Sequence, residues 1–180
     1  MVCKNISKIL CVLLAVALLF SLSACGKKDE KSKVSEPAFS LNKEKVVVDP
    51  DMTKYEHTVY TIELEAEVDS ITVYHKDNVI YGLDQNSVAE VGERTDAQID
   101  SILDTVESKY AEISKKDFAE FKVFYAEESG SLVMNFHARK LNKKENLQMI
   151  ADLGIFGALS ADSTYTQLDE ILTNMKFVKQ

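Results

Sequence analysis

No cysteine occurs after Cys25; the three in the chain are Cys3, Cys11 and Cys25. A body without free thiols forms neither a disulfide nor a thiolate metal site, so it must be held together by buried apolar side chains. Motifs that set a nucleophile beside a base are missing too: there is no His-Glu-x-x-His, no Gly-x-Ser-x-Gly and no glycine-rich phosphate loop. Positive charge is scarce, with 21 Lys and Arg against 29 Asp and Glu and a formal net charge of −8. The one basic cluster, Lys27, Lys28, Lys31 and Lys33, is interleaved with Asp29 and Glu30 and followed by Glu36. That balance excludes the concentrated basic face with which proteins bind nucleic acid. A long apolar run is also absent. The run over residues 9–20 has 12 members, and at about 1.5 Å of rise per residue it falls short of a hydrocarbon core about 30 Å thick.

What the first stretch does contain reads as an export leader. Lys4 and Lys8 precede the apolar run, and small residues follow it, the order of a secretory signal. Leu22-Ser23-Ala24-Cys25 resembles the bacterial lipoprotein signal, whose cysteine is thioether-linked to diacylglycerol and becomes the new N-terminus; the other reading is an ordinary cleaved leader. By the resemblance, residues 1–24 are removed and Cys25 is the lipidated residue, which leaves 156 residues. Residues 25–37, charged and without hydrophobic period, form a flexible tether. Their lysines are either attracted to anionic headgroups or simply solvated. Two or more acyl chains hold a protein on a membrane where one does so only marginally. Residues 38–180 are then a single domain, enough for one core and too few for two.

Within the domain, residues 46–48 followed by Asp49-Pro50-Asp51 read as a short edge strand closed by a turn. From Thr58 apolar and polar residues alternate strictly, so Tyr60, Ile62, Leu64, Ala66 and Val68 are expected on the core side of one strand, with Thr61, Glu63, Glu65 and Glu67 facing water. Residues 71–75 and 79–83 read as two more strands around a turn at Lys76-Asp77-Asn78. Asp84-Gln85-Asn86 opens like a calcium loop, but Val88 fills a position that needs a ligand and the terminal bidentate acid is missing, and calcium is rejected. Thr95 starts a helix with an apolar stripe of Ile99, Ile102, Leu103, Val106, Tyr110 and Ile113 and a solvated acidic side of Asp100, Asp104, Glu107 and Glu112. Residues 118–126 and 132–140 form a hairpin, Asn142 caps a helix over 143–153, a last helix runs over 164–175, and residues 177–178 make a short strand. Between the last two helices, Leu153, Ile155, Phe156 and Leu159 alternate with glycines. They form either a loop folded over one end of the core or an exposed apolar lip that binds a ligand or partner. The expected class is α+β: an antiparallel sheet of about five to six strands with two to three helices packed on one face. The starts of two helices, residues 95–103 and 164–172, match at five of nine places, which allows a duplicated strand-then-helix unit.

The three histidines are His57, His75 and His137. His75 and His137 fall on strands of different halves, where two imidazoles meeting beside a carboxylate would hold zinc, though nothing in their spacing requires it. The tyrosines could line a cleft or fill the core. The order of lipobox, charged tether, meander with a Lys-Asp-Asn turn, a helix ending in Ser-Lys-Tyr-Ala-Glu-Ile, a hairpin, and a closing helix running into Met-Lys-Phe-Val-Lys resembles the YehR-like bacterial lipoproteins over about residues 55–180. The resemblance implies a small α+β domain on the outer face of a membrane, in a family with no assigned activity or catalytic residues. The expected function is a lipid-anchored, non-enzymatic binding or scaffold domain at the cell envelope, with a small ligand or an envelope protein as partner and no cofactor. The alternative is a metal-dependent or hydrolytic enzyme using His75 and His137.

Overall fold

The computed structural model describes residues 50–180 apart from Glu93. The leader, Cys25, the tether and the short strand expected at residues 46–48 lie outside the described residues. The Asp-Pro-Asp turn signal becomes one turn of 3-10 helix, Pro50–Met52. Six strands follow: β1 (Glu56–Leu64), β2 (Glu67–Lys76), β3 (Val79–Glu90), β4 (Ala119–Ala126), β5 (Ser131–Arg139) and β6 (Val178–Lys179). The helices are α1 (Asp96–Tyr110), α2 (Lys144–Asp152) and α3 (Tyr165–Asn174). All pairings are antiparallel, in the order β4-β5-β3-β2-β1-β6. The protein is therefore the α+β fold expected from its pattern. Among the described residues no helix is long and apolar enough to cross a membrane.

One face of the sheet carries the core. Tyr60 lies opposite Ile71, and Val73, Leu83 and Ala138 line up across three strands. These side chains join Ile102, Val106 and Tyr110 of α1, Leu147 and Ile150 of α2, and Leu168 and Leu172 of α3 in one cluster. Each large side chain so buried contributes about 1.5–3 kcal/mol. The apolar stripe predicted for α1 faces inward, and Thr95 and Thr164 begin their helices as expected. Each forms a capping box: Gln98 Oε1 accepts from the Thr95 N–H at 3.0 Å, and Gln167 Oε1 from the Thr164 N–H at 2.8 Å. The Thr-x-x-Gln shared by the two helix starts is thus accounted for by capping chemistry. For α2 the cap is Lys143 and not Asn142.

The strand expected over residues 58–68 is two strands. Glu65 and Ala66 make a two-residue turn, so that Leu64 pairs directly with Glu67. In one continuous strand, residues three apart face opposite sides; across a two-residue turn they are partners and face the same side. Glu67 and Asp69 therefore enter the helix-covered side, 8% and 3% exposed, and Val68 moves to the other. Next, β2 and β3 are joined by Asp77 and Asn78 at φ 51° and 63°, the left-handed pair that a type I′ hairpin turn demands. Asn78 also seats α3, its Oδ1 accepting from the Thr166 N–H and hydroxyl, both at 2.9 Å. Strand β3 continues through Asp84-Gln85-Asn86, with Gln85 and Ser87 on the helix side and Asp84 and Asn86 on the open side.

The apolar segment after α2 is no open lip. Ile155, Phe156 and Leu159 are buried in the main cluster, and Leu153 is half-buried against it. Gly154 and Gly157, at φ 69° and 58°, let the chain fold back over the core in a conformation that side chains resist.

Candidate functional site

His137 and Arg139 stand two apart on β5, which sends both to the face that carries no α-helix among the described residues. Asp84 of β3 is directly opposite His137, and Thr72 of β2 is opposite Asp84. The Asp84 carboxylate is the hub: Oδ1 accepts from His137 Nδ1 at 2.9 Å and Arg139 Nη1 at 2.5 Å, and Oδ2 from the Tyr74 hydroxyl at 2.8 Å. Burial pushes this carboxyl up, but hydrogen bonds from His137, Arg139 and Tyr74, with the Arg139 charge, outweigh it and hold the group below its ordinary value. Arg139 also donates to the Leu83 and Ala138 carbonyls and lies 5.4 Å from the centre of the Tyr74 ring.

Chemically, this is an oriented imidazole. In the neutral form of the ring, an ionised Asp84 sets the hydrogen on Nδ1 and leaves the lone pair on Nε2. The His137 side chain is 45% exposed, against 18% for Asp84. Nε2 is thus available to accept a hydrogen bond or a proton beside a fixed guanidinium. Among the described residues no hydroxyl is bonded to His137, so the dyad lacks a partnered nucleophile. Ser70, Asn86 and Asn135 form the next row of the same face, and the buried Asn86 Oδ1 has no donor among the described residues.

His75 belongs to a different cluster. Tyr74 and His75 are successive strand residues, so when Tyr74 reaches Asp84 on the open face, His75 points to the helices. Its ring stacks on Tyr165 with centroids 3.6 Å apart, and Nε2 lies 3.1 Å from Thr58 Oγ1. Burial lowers its proton affinity. The Tyr165 hydroxyl meets Thr58 at 2.9 Å, Tyr60 at 3.1 Å and Lys179 Nζ at 3.1 Å, while Tyr60 donates to Asp169 at 2.5 Å. These bonds tie β1, β2, β6 and α3 together. The structure thus does not bring His75 and His137 together, and among the described residues no three His, Cys, Asp or Glu side chains are grouped to hold a metal. Of the four lip residues, Ile155, Phe156 and Leu159 are buried and Leu153 is half-buried, and Cys25 is outside the described residues. From sequence Asp84 stands out only as the start of a rejected calcium loop, and Arg139 not at all; the alternation His137-x-Arg139 is the signal that was available.

The sheet order and the three α-helices of the described residues define an α+β domain. Among solved structures, the NMR structure of the E. coli YehR protein is similar, with a TM-score of 0.54 and 18% identity, covering 69% of this chain and 90% of that one. The chain thus has a YehR-like fold. The NMR structure of a protein from Streptococcus pneumoniae TIGR4 matches with a TM-score of 0.41 and 10% identity over 87% of this chain and 99% of that one. No family model matches the chain. No curated protein matches it either.

Proposed function

We propose that the chain is a YehR-like lipoprotein, held on the extracytoplasmic face of the cell membrane by a diacylglyceryl group on Cys25, whose domain binds a small ligand or an envelope protein without catalysing a reaction. The observation that carries the anchor is Leu22-Ser23-Ala24-Cys25 at the end of a lysine-headed apolar run. Binding is placed on the open sheet face, where His137 and Arg139 are held rigid by Asp84 while the imidazole faces water. A first group fixed by a supporting carboxylate needs little ordering when it meets a partner.

Growth of the expressing host with labelled palmitate, followed by mass analysis of the N-terminal peptide, tests the anchor. The expected result is label in the membrane fraction and an acylated Cys25, both lost in Cys25→Ala; a bare sulfur or an uncut leader overturns it. A photoreactive side chain at Asn135 is expected to crosslink a partner in cells where the same group at Glu107, on the far side of α1, does not.

A further inference from the structure

The antiparallel register sorts the strand termini into two ends of the sheet. Glu56, Lys76, Val79, Ala119 and Arg139 lie at one end, and Leu64, Glu67, Glu90, Ala126 and Ser131 at the other. The chain enters the domain at the first of these. Met52 Cε occupies the space that a side chain at Gly82 would need, 2.5 Å from the Cβ position, and Tyr55 stacks on Tyr81 with centroids 4.3 Å apart. Charge separates along the same axis. Lys54, Lys76, Lys116 and Lys143 are exposed at the entry end and form no ion pair among the described residues. Three further lysines there are paired, Lys115 with Glu112 at 2.8 Å, Lys140 with Asp117 at 2.9 Å and Lys144 with Asp162. Asp51, Glu56, Asp77 and Glu145 stand among them, so this end is rich in lysine and close to neutral. The far end presents Glu63, Glu65, Glu90, Asp96, Glu127 and Glu128, all exposed, beside Arg94, and is acidic. A second property also marks the entry end: Val79, at the hairpin tip after Lys76, is a large apolar side chain left 40% exposed.

We propose that the entry end is the foot on which the domain stands on a membrane, its lysines and Val79 meeting anionic headgroups while the acidic end points away. This rests on the reading of Cys25 as the lipid anchor, which precedes Pro50 by 25 positions and so brings the membrane to the end where the chain enters. An anionic bilayer attracts basic side chains within a Debye length, about 8 Å at physiological salt, and repels carboxylates held there. Lysine also carries its charge on a long stem, beyond the reach of a neighbouring aspartate. The acids at the foot keep its attraction small, so the anchor supplies proximity and charge decides which end is turned down. The strands then stand upright, and the face of His137 and Arg139 is turned sideways, clear of the lipid.

The test uses the full chain with Cys3→Ser and Cys11→Ser, joined through Cys25 to a maleimide lipid, so that the result does not depend on acylation by the host. The vesicles are equal parts phosphatidylglycerol and phosphatidylcholine. A fluorescent side chain is placed at Asn142 beside the foot or at Ser129 on the far end, both exposed, and its quenching by a headgroup-labelled lipid is read. Quenching about fivefold stronger at Asn142 than at Ser129 is expected, falling towards equality in pure phosphatidylcholine, at high salt, and in the variant Lys54→Gln, Lys76→Gln, Lys116→Gln, Lys143→Gln. Equal or reversed quenching on the anionic vesicles overturns the proposal, as does a preference that survives both high salt and phosphatidylcholine. Failure of the anchor reading shows separately, as an unacylated Cys25 in protein isolated from the host. Should the four-lysine variant not fold, the salt and lipid series on the unsubstituted lysines decides.

Discussion

Asp69 and Asp84 sit on the two central strands, one under the helices and one on the open face, and they meet opposite fates. Burial raises the proton affinity of both. Asp69 receives one hydroxyl and ends at about 6; Asp84 receives an imidazole, a guanidinium and a phenol and ends below its ordinary value. Supply of donors, rather than depth, decides which carboxylate keeps its charge. Below about pH 6 the same sheet therefore holds a proton on Asp69 and a fixed anion on Asp84.

The sharpest way to break this comparison is to remove the anion. Asp84→Ala leaves Arg139, His137 and Tyr74 without their common acceptor and is expected to cost about 3 kcal/mol in urea unfolding at pH 7; no loss would mean the hub contributes nothing. On the other face the sign reverses. The folded-state pKa of Asp69 lies above its unfolded value, so the native state binds the extra proton and stability falls as pH rises from about 4 to about 6, with the Glu67 contribution continuing to about 8. Asp69→Asn is accordingly expected to gain about 2 kcal/mol at pH 8 and close to nothing at pH 4. Equal effects at the two pH values would contradict the assignment. A smaller loss, about 1 kcal/mol, is expected for Tyr165→Phe, which keeps the stack on His75 but gives up the hydroxyl bonds to Thr58, Tyr60 and Lys179; thermal denaturation reads it. Least of all, Thr164→Ala is expected to cost about 0.5 kcal/mol through loss of the α3 cap, measured by the same melting curves.

Much of this architecture was legible. Helix starts at Thr95 and Thr164, the Asp77-Asn78 hairpin and the β4–β5 pair follow from capping, turn chemistry and alternation, each of which acts over a few residues. The face assignments of Glu67 and Asp69 were not, because alternation looks the same in a straight strand and in one that doubles back. Apolar residues do switch from even numbers up to Leu64 to odd ones at Ile71 and Val73, and the switch marks a turn somewhere between. Polar Asp84-Gln85-Asn86 resembles a loop because both faces of β3 are polar there: one carries the Asp84 hub, the other Gln85 and Ser87 across from buried Asp69. The hub itself draws on three strands, and no spacing along the chain encodes that meeting.

The seat that Asn78 provides for α3 has a consequence for the order of assembly. The tip of an early hairpin holds the first turn of the final helix across a sequence separation of 88, and the Gln180 N–H closes on Val59 at 3.0 Å. A chain emerging from the ribosome carries β1 and β2 long before it carries what they must grip, and such distant closures are slow to form. The nascent polypeptide consequently lacks both closures, and stays able to be threaded, until α3 and β6 have been synthesised.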